Sequence, residues 1–444
     1  MTVMERTLVR DARQKVGELV ALRGFVHTVR NQKAVQFIVL RDPTGLIQLV
    51  AERSESNSTL NELIAGLTRE SAIQVTGIVV NNPQVKLGQL EVELKTLSVS
   101  SPSDATLPID LSGKTETDVD KRLDWRFLDL RQPENQLILR VQTTVEMAMR
   151  EFWIANGFVE IHTPKIMGSP SEGGAELFTL EYFGQTASLA QSPQFYKQMA
   201  MAAGLERVFE IGPAFRADPS FTPRHATEFT SVDMEMSWIE SHHDIMAFEE
   251  AWLCHVLQTV REKHGKEIAE TFRTEVVIPS LPFPKVTMEQ AQTILSEKGY
   301  LAPADSKKGD IDPQGERLLC EYARQEFGHE FIFITDYPAE IRSFYHMRQE
   351  GAPRLTKSFD LLWKWMEITT GAQREHRYDI LAHQATEKGV SVESIQFYLD
   401  FFKYGCPPHG GFGFGLARLL AAMLNQKSIR DVVFLHRGPN RLIP

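Results

Sequence analysis

The sequence predicts an α+β fold in two domains, a small β-rich one followed by a larger mixed one. Three observations carry this. Short runs rich in β-branched and aromatic residues fill the first 100 positions. A Ser-, Pro- and Asp-rich stretch follows at 100–113. From residue 136 to the end, long amphipathic helical patterns alternate with strand patterns.

The β-rich runs are 18–30 (ELVALRGFVHTVR), 34–41 (AVQFIVLR) and 46–52 (LIQLVAE). Asn31-Gln32-Lys33 and Asp42-Pro43-Thr44-Gly45 separate them, both turn-forming. Residues 57–67 (NSTLNELIAGL) place Leu60, Leu63, Ile64 and Leu67 on one helix face, and two more strands are expected near 72–80 and 90–99. The order β-β-β-α-β-β is that of an OB-fold, a small barrel often used for single-stranded nucleic acid; other small barrels share the pattern. The stretch SSPSDATLPIDLSG reads as a linker. The chain is therefore divided into 1–100 (barrel), 101–135 (linker and hinge) and 136–444 (α+β domain), the last containing helices over 137–156 and 241–263.

Hydrophobic residues make up 42% and charged residues 24% of the 444, as in ordinary soluble globular chains. No apolar run approaches the length of about 18 residues that spans a membrane. Met1-Thr2-Val3-Met4-Glu5-Arg6 has no basic segment leading into an apolar one, so no secretory signal is expected. Cys254, Cys320 and Cys406 are far apart and not in metal-ligand spacing; they fit buried thiols in a reducing cytoplasm. A net charge of −10 argues against a generally basic nucleic-acid coat but leaves local basic patches and stacking open.

Four segments carry chemistry. Residues 207–240 read as strands at 208–211 and 229–238 joined by a loop with Arg216, Asp218, Arg224 and His225. Guanidinium groups bind phosphate oxygens bidentately, so this loop can cover a polyphosphate, and Phe229 can stack on a purine; an exposed hairpin with solvated charges fits the same residues. Residues 405–420 (GCPPHGGFGFGLARLL) read as a Gly-rich loop before a helix, either close to a ligand or simply a tight turn. No βαβ context accompanies it, which excludes a Rossmann unit. In 358–380, Asp360, Glu367 and Thr370 offer hard oxygen ligands suited to Mg²⁺ on nucleotide phosphates, and Arg374 follows two small residues that leave it room to clamp a carboxylate; strand-end charges paired with neighbours fit equally. In 169–198, Ser171-Glu172-Gly173-Gly174 reads as a mobile loop, and Gln194 and Lys197 stand at i and i+3 of a helix start.

In this order, the four segments resemble the class IIb aminoacyl-tRNA synthetases, and within them the aspartyl group in its compact archaeal form. The resemblance spans essentially the whole chain. Residues 157–164 (GFVEIHTP) resemble motif 1, the dimer-interface strand ending in proline; 209–236 resemble motif 2; 411–419 (GFGFGLARL) resemble motif 3; and 122–131 resemble the subclass hinge. The resemblance implies an OB-fold anticodon-binding barrel and a class II catalytic domain, an antiparallel sheet flanked by helices. It implies activation of L-aspartate by ATP with Mg²⁺, then transfer to tRNA(Asp), and in relaxed enzymes also to tRNA(Asn), by a cytoplasmic homodimer. Arg216 and Arg418 would carry the catalytic role, Arg216 at the ATP α-phosphate and the aspartate carboxylate. Asp218, Arg224 and His225 would contact the nucleotide, the last two at its terminal phosphates. Phe229 and Arg418 would sandwich the adenine beside Gly415. Asp360, Glu367 and Thr370 would hold Mg²⁺, Thr370 also lying near the aspartate. Lys197 and Arg374 would bind the aspartate side chain, Gln194 and Asp233 its amino group, and Ser171 and Glu172 lie in the loop that closes over it. In the barrel, Phe37 matches the stacking aromatic, Gln48 the base-reading glutamine and Arg30 a nearby arginine. His27 stands near the third anticodon base, where histidine accompanies relaxed charging of both tRNAs.

Three places depart from the pattern. Ala417 stands where Asp or Glu precedes the motif 3 arginine, Asp218 where Glu is usual, and 434–441 (FLHRGPNR) where Phe-Pro-Arg-Asp is favoured. They suggest a divergent paralogue, and two rival readings follow. A paralogue activating aspartate for a non-tRNA acceptor is opposed by the barrel. A non-catalytic RNA-binding paralogue is opposed by Arg216, Glu367, Arg374 and Arg418.

Overall fold

The computed structural model describes residues 4–113, 115–171, 176–303 and 309–444. The chain divides into two compact units, Met1–Gln136 and Leu137–Pro444. In the first, α1 (Val9–Ala12) precedes β1 (Leu19–Asn31), β2 (Val35–Asp42) and β3 (Gly45–Glu52); α2 (Ser58–Ala65), β4 (Ala72–Asn81), β5 (Leu90–Ser101), α3 (Val119–Asp124) and α4 (Arg126–Asp129) follow. The strands close into a barrel in the order β1-β2-β3-β5-β4, the five-stranded OB arrangement. Every pairing is antiparallel except β3 with β5. Alternation produces this closure. Val20, Leu22, Ile38, Leu40, Ile47, Leu49, Val75 and Val92 point inward, each contributing about 1.5–3 kcal/mol by burial. Helix α2 packs Leu60 and Ile64 on the barrel core, and Leu67 just past its end joins them, but Leu63, expected on the same face, is 42% exposed because it lies at the edge of that stripe. Residues 101–135, expected as a separate linker and hinge, group with the barrel. Arg131 ties them there, 3.0 Å from Glu70 and 3.9 Å over the Phe25 ring.

Helix α5 (Pro133–Ala155) crosses the division between units. The second unit then runs β6 (Val159–Glu160), β7 (Ile166–Met167), β8 (Thr179–Tyr182), β9 (Gln185–Leu189), α6 (Gln194–Ala202), β10 (Arg207–Phe215), β11 (Glu228–Ser237), α7 (His242–Phe272), β12 (Lys285–Thr287), α8 (Met288–Glu297), α9 (Pro313–Phe327) and β13 (Phe331–Thr335). It ends with β14 (Arg348–Gln349), β15 (Ala352–Thr356), β16 (Ser358–Trp363), β17 (Met366–Arg374), α10 (Tyr378–Glu387), α11 (Gln396–Lys403), β18 (His409–Gly415), α12 (Leu416–Met423) and α13 (Ile429–Val432). Eight strands form the central sheet, in the order β12-β13-β16-β17-β18-β11-β10-β6. The sheet expected to be antiparallel is mixed, because β12–β13 and β10–β6 pair in parallel at its two edges. No helix among the described residues is long and apolar enough to cross a membrane.

The sheet has one greasy face and one polar face. On the greasy side Val232, Met234 and Met236 of β11 and Phe412 and Phe414 of β18 join the main core with α5 and α7. Trp252 of α7 stacks 4.8 Å from Trp153 of α5 and meets the edge of Phe414 at 5.1 Å. A capping box, Ser241 with Asp244, fixes the start of α7. The glycine-rich segment expected as a loop is strand β18. Its alternation Gly411-Phe412-Gly413-Phe414-Gly415 sends phenylalanines into the core and leaves no side chains on the other face. Strand β17 carries an irregularity, since Leu361 pairs with Thr369 but Leu362 with Glu367. This bulge turns Glu367 and Thr370, three residues apart, to the same polar face, which strict alternation would prevent.

One acid lies on the greasy side. Glu249 of α7 is buried, accepts a hydrogen bond from Thr369 Oγ1 at 2.5 Å, and has no partner for Oε2. Burial pushes its carboxyl up to about 8 from 4.5. The folded state therefore keeps a proton that the unfolded chain releases. Its contribution is fully present below about pH 4.5 and is lost as pH rises through about 8. Glu249→Gln, which carries no proton to lose, should gain stability relative to the parent by a few kcal/mol between pH 5 and pH 8, read as a rising difference in melting temperature.

Candidate active site

The polar face of β11, β18 and β17 forms the floor of a cleft of about 340 Å³. Cross-strand register sets its rows. Asp233 lies opposite Gly413 and Gly413 opposite Thr370, while Glu235 lies opposite Gly411 and Gly411 opposite Ala372. The central strand must be glycine here. A Cβ at Gly411 would stand 2.1 Å from the Met234 carbonyl oxygen and 2.4 Å from Glu235 Oε2.

At one end of the floor the charges are buried and paired. Lys197, on the first turns of α6, reaches Asp233 Oδ1 at 3.0 Å and Glu235 Oε2 at 3.3 Å, and donates to the Phe412 carbonyl at 3.1 Å. Arg374 donates from Nε to Glu235 Oε1 at 3.0 Å and from Nη2 to the Gly411 carbonyl at 3.1 Å. Burial opposes ionisation of Glu235, but Arg374, Lys197 and His409 outweigh it and hold its carboxyl below the usual range. Ser231 donates to the second Asp233 oxygen at 2.5 Å, and Gln194 to Gln198 at 2.9 Å. Arg374, Asp233 and Gln194 line the cleft, whereas Lys197 lies beneath them and acts through Asp233 and Glu235.

The other end is rich in guanidinium groups. Arg216 is exposed at the end of β10, its Cζ 5.4 Å from the centre of the Phe229 ring. Arg224 is gripped by Glu316 of α9 at 2.7 and 2.9 Å, and Glu316 also accepts from the Glu367 amide at 3.0 Å. Arg418 donates to the Glu367 carbonyl at 3.1 Å and to its Oε1 at 3.0 Å. Glu367 thus orients the arginine that an acid at position 417 would hold, and Ala417 packs against the core instead. Burial opposes ionisation of Glu367, but Arg418, Arg224 and Arg342 keep its carboxyl low. Burial, Arg418 and Arg224 hold His225 below the usual imidazole range, and it meets Ser220 Oγ at 3.2 Å as well as Thr222.

The oxygens of Glu367 and Thr370 lie together, Thr370 Oγ1 donating to Glu367 Oε1 at 3.3 Å. A carboxylate and a hydroxyl side by side at the guanidinium-rich end suit a hard cation. Asp360, expected beside them as a third ligand, is instead paired with Arg342 at 2.7 Å. Among the described residues no group of three or more His, Cys, Asp or Glu side chains is arranged to hold a metal. A divalent ion there would depend on Glu367, Thr370 and the nucleotide itself. Ser171 is buried, 3.4 Å from Ser192, and Glu172 lies outside the described residues.

On the barrel, Arg30, Phe37 and Gln48 meet on adjacent strands. Arg30 donates to Gln48 Oε1 at 3.2 Å and lies 5.5 Å from the Phe37 ring centre, and Gln48 donates to Glu91 at 2.9 Å. His27 sits at a β1 bulge between Val26 and Thr28 and meets Arg41 at 3.4 Å rather than this trio. Burial and Arg41 hold its imidazole below the usual range.

The cleft gathers Gln194, Arg216, Asp218, Arg224, His225, Phe229, Asp233, Glu367, Thr370, Arg374, Gly415 and Arg418 from four separate stretches of sequence. Sequence reasoning missed Glu235, Glu316 and Arg342. Glu235 shares the strand alternation of Ser231 and Asp233, which was a usable signal; Glu316 and Arg342 had none.

The comparisons with known proteins agree with this geometry. A family of tRNA synthetases class II (D, K and N) matches residues 118–437, and an OB-fold nucleic acid binding domain matches residues 20–100. An aspartate–tRNA(Asp) ligase of Pyrococcus abyssi is 44% identical over 428 residues, 96% of this chain and 97% of that one. An aspartate–tRNA(Asp/Asn) ligase of Methanopyrus kandleri is 44% identical over 431 residues, 97% of each chain. The crystal structure of asparaginyl-tRNA synthetase from Pyrococcus horikoshii complexed with asparaginyl-adenylate superposes with a TM-score of 0.90 at 33% identity, covering 99% of this chain and all of that one. With a barrel, a catalytic sheet and a cleft of this kind, the chain belongs to the class II tRNA synthetases of the D, K and N group.

Proposed function

We propose that this chain is an aspartate–tRNA ligase: it joins L-aspartate to ATP as aspartyl-adenylate and passes the aspartyl group to tRNA(Asp). The observation that carries the reading is the buried Lys197–Glu235–Arg374 array at one end of a cleft whose other end holds Arg216, Arg224 and Arg418. Glu235 locks the Arg374 guanidinium in place, so the aspartate side-chain carboxylate meets a fixed cation. Asp233 is placed to receive the substrate ammonium group, with Gln194 beside it. Phe229 and Arg418 face the adenine, and the Gly415 position leaves them room. Arg216, with Arg224, His225 and Asp218 around the polyphosphate, neutralises charge as the α-carboxylate attacks the α-phosphorus and pyrophosphate leaves. No protein nucleophile is needed. The tRNA ribose hydroxyl then attacks the adenylate carbonyl, releasing AMP.

Glu367 and Thr370 would hold Mg²⁺, which when bound neutralises phosphate charge and orients the leaving group. Exposed Met147 and Ile154 on α5 and Val159 on β6 support a homodimer, and we place the reaction in the cytoplasm. Arg30, Phe37 and Gln48 form the anticodon-reading face, Phe37 offering a stacking surface. His27, expected near the third anticodon base, is the reason for including charging of tRNA(Asn) in this reading.

Four outcomes check this reading. Arg374→Leu should cut aspartate-dependent pyrophosphate exchange at least about 100-fold, about 2.8 kcal/mol, with ATP binding kept. It also strips one partner from Glu235 and should cost about 3–5 kcal/mol of stability, so melting is measured alongside. Unchanged aspartate activation would refute the substrate assignment. Glu367→Ala should slow adenylate formation at least about tenfold while tRNA affinity stays within about twofold. Phe37→Ala should weaken charging by about 1–3 kcal/mol with both tRNAs and leave aspartate activation untouched. In the parent protein, a preference above about 100-fold for tRNA(Asp) over tRNA(Asn) would sink the relaxed reading.

A further inference from the structure

Arg342 has no role in the mechanism above, yet it lines the same cleft as Arg216, Arg224 and Arg418. It follows the turn at Ala339–Ile341, and its side chain is 12% exposed. The guanidinium lies flat over Tyr337, 3.7 Å from the ring centre, and its Nη2 is 2.7 Å from Asp360 Oδ1. Arg342 Nε has no hydrogen-bond partner among the described residues, and Asp360 is met by Tyr337 as well as by Arg342. With Nε left over, the pair lacks the full bidentate fork that makes Arg–carboxylate pairs rigid. Asp360 lies opposite Thr370 across β16 and β17, and Glu367 adds a second negative charge that Arg342 feels. The buried Asp360 and the half-buried Glu367 would repel without a cation between them, and Arg342 is the cation on the Asp360 side.

We propose that Arg342 is a resident counter-ion of this acidic pair: it occupies the Asp360 oxygen in the free protein, and yields it to the divalent ion that arrives with ATP, turning its guanidinium to the phosphates. This rests on the ATP and Mg²⁺ reading given above. It makes Arg342 both a gate on the metal position and a fourth guanidinium at the polyphosphate. A free protein built this way binds bare divalent ions poorly, because the ion must expel a charge of the same sign. With the nucleotide present the expelled guanidinium gains phosphate contacts, so metal and ATP enter together.

The test uses Mn²⁺ as the probe, followed by paramagnetic resonance without ATP or aspartate, so it does not depend on the amino-acid substrate. Arg342→Gln should bind Mn²⁺ at least about tenfold more tightly than the parent at the same pH, and should lose at least about tenfold in pyrophosphate exchange at saturating Mg²⁺ and ATP. Arg342→Lys, which keeps the charge, should leave Mn²⁺ affinity near the parent value. A folded Arg342→Gln with unchanged Mn²⁺ affinity would overturn the proposal and leave Arg342 a structural ion pair. Crystals of the parent protein with Mn²⁺ and a non-hydrolysable ATP analogue give a second reading that needs no variant. Metal on Asp360 with Arg342 moved to the phosphates supports the exchange; metal bound with Arg342 still on Asp360 refutes it. Absence of aspartate-dependent exchange in the parent would instead count against the ligase reading alone.

Discussion

The closed end of the cleft depends on one carboxylate, that of Glu235, held between Lys197 and Arg374. Removing charges from water costs several kcal/mol per ion, and their attraction offsets this only when geometry is good and every remaining polar atom is met. That requirement propagates outward. The Glu235 oxygen comes so close to β18 that residue 411 can carry no side chain, and the Arg374 guanidinium takes the carbonyl that the bare strand exposes. Lys197 needs the first turns of α6 to sit over Asp233 and Glu235 together. Lys197 and Arg374 balance Asp233 and Glu235, so the charges at this end are matched.

The two ends of the cleft obey different electrostatic regimes. Near Glu235 the groups are matched one to one and rigid. Near Glu367 three guanidinium groups gather, and Arg224, Arg342 and Arg418 all depress its carboxyl against burial. In the reading proposed above, such fixed guanidinium groups suit a polyphosphate, which brings more negative charge than the protein could bury alone. Glu316 and Asp360 hold Arg224 and Arg342 in place.

Much of this was legible in the sequence, for identifiable reasons. The barrel strands announce themselves because alternation and turn residues coincide there, as at Asp42-Pro43-Thr44-Gly45. Arg216, Glu367, Arg374 and Arg418 were recognisable from the motifs around them. The reading of β18 as a loop failed because glycine carries no strand signal; the clue was phenylalanine at every second position. The β17 bulge left no mark in the sequence, so the shared facing of Glu367 and Thr370 could not be anticipated. Glu316 was hidden because an acid in a first helical turn usually serves the helix itself, and Arg342 because the partner that defines it, Asp360, comes from a different strand.

The closed barrel carries a consequence of its own. With β1-β2-β3-β5-β4 joined in a ring, no strand presents an unpaired edge, so the backbone has no free ladder to offer a guest. In the reading proposed above, recognition would then be written in side chains such as Arg30, Phe37 and Gln48, standing on a closed scaffold. On that reading a lineage can exchange those letters one at a time and redirect its choice of RNA while the scaffold beneath keeps its register.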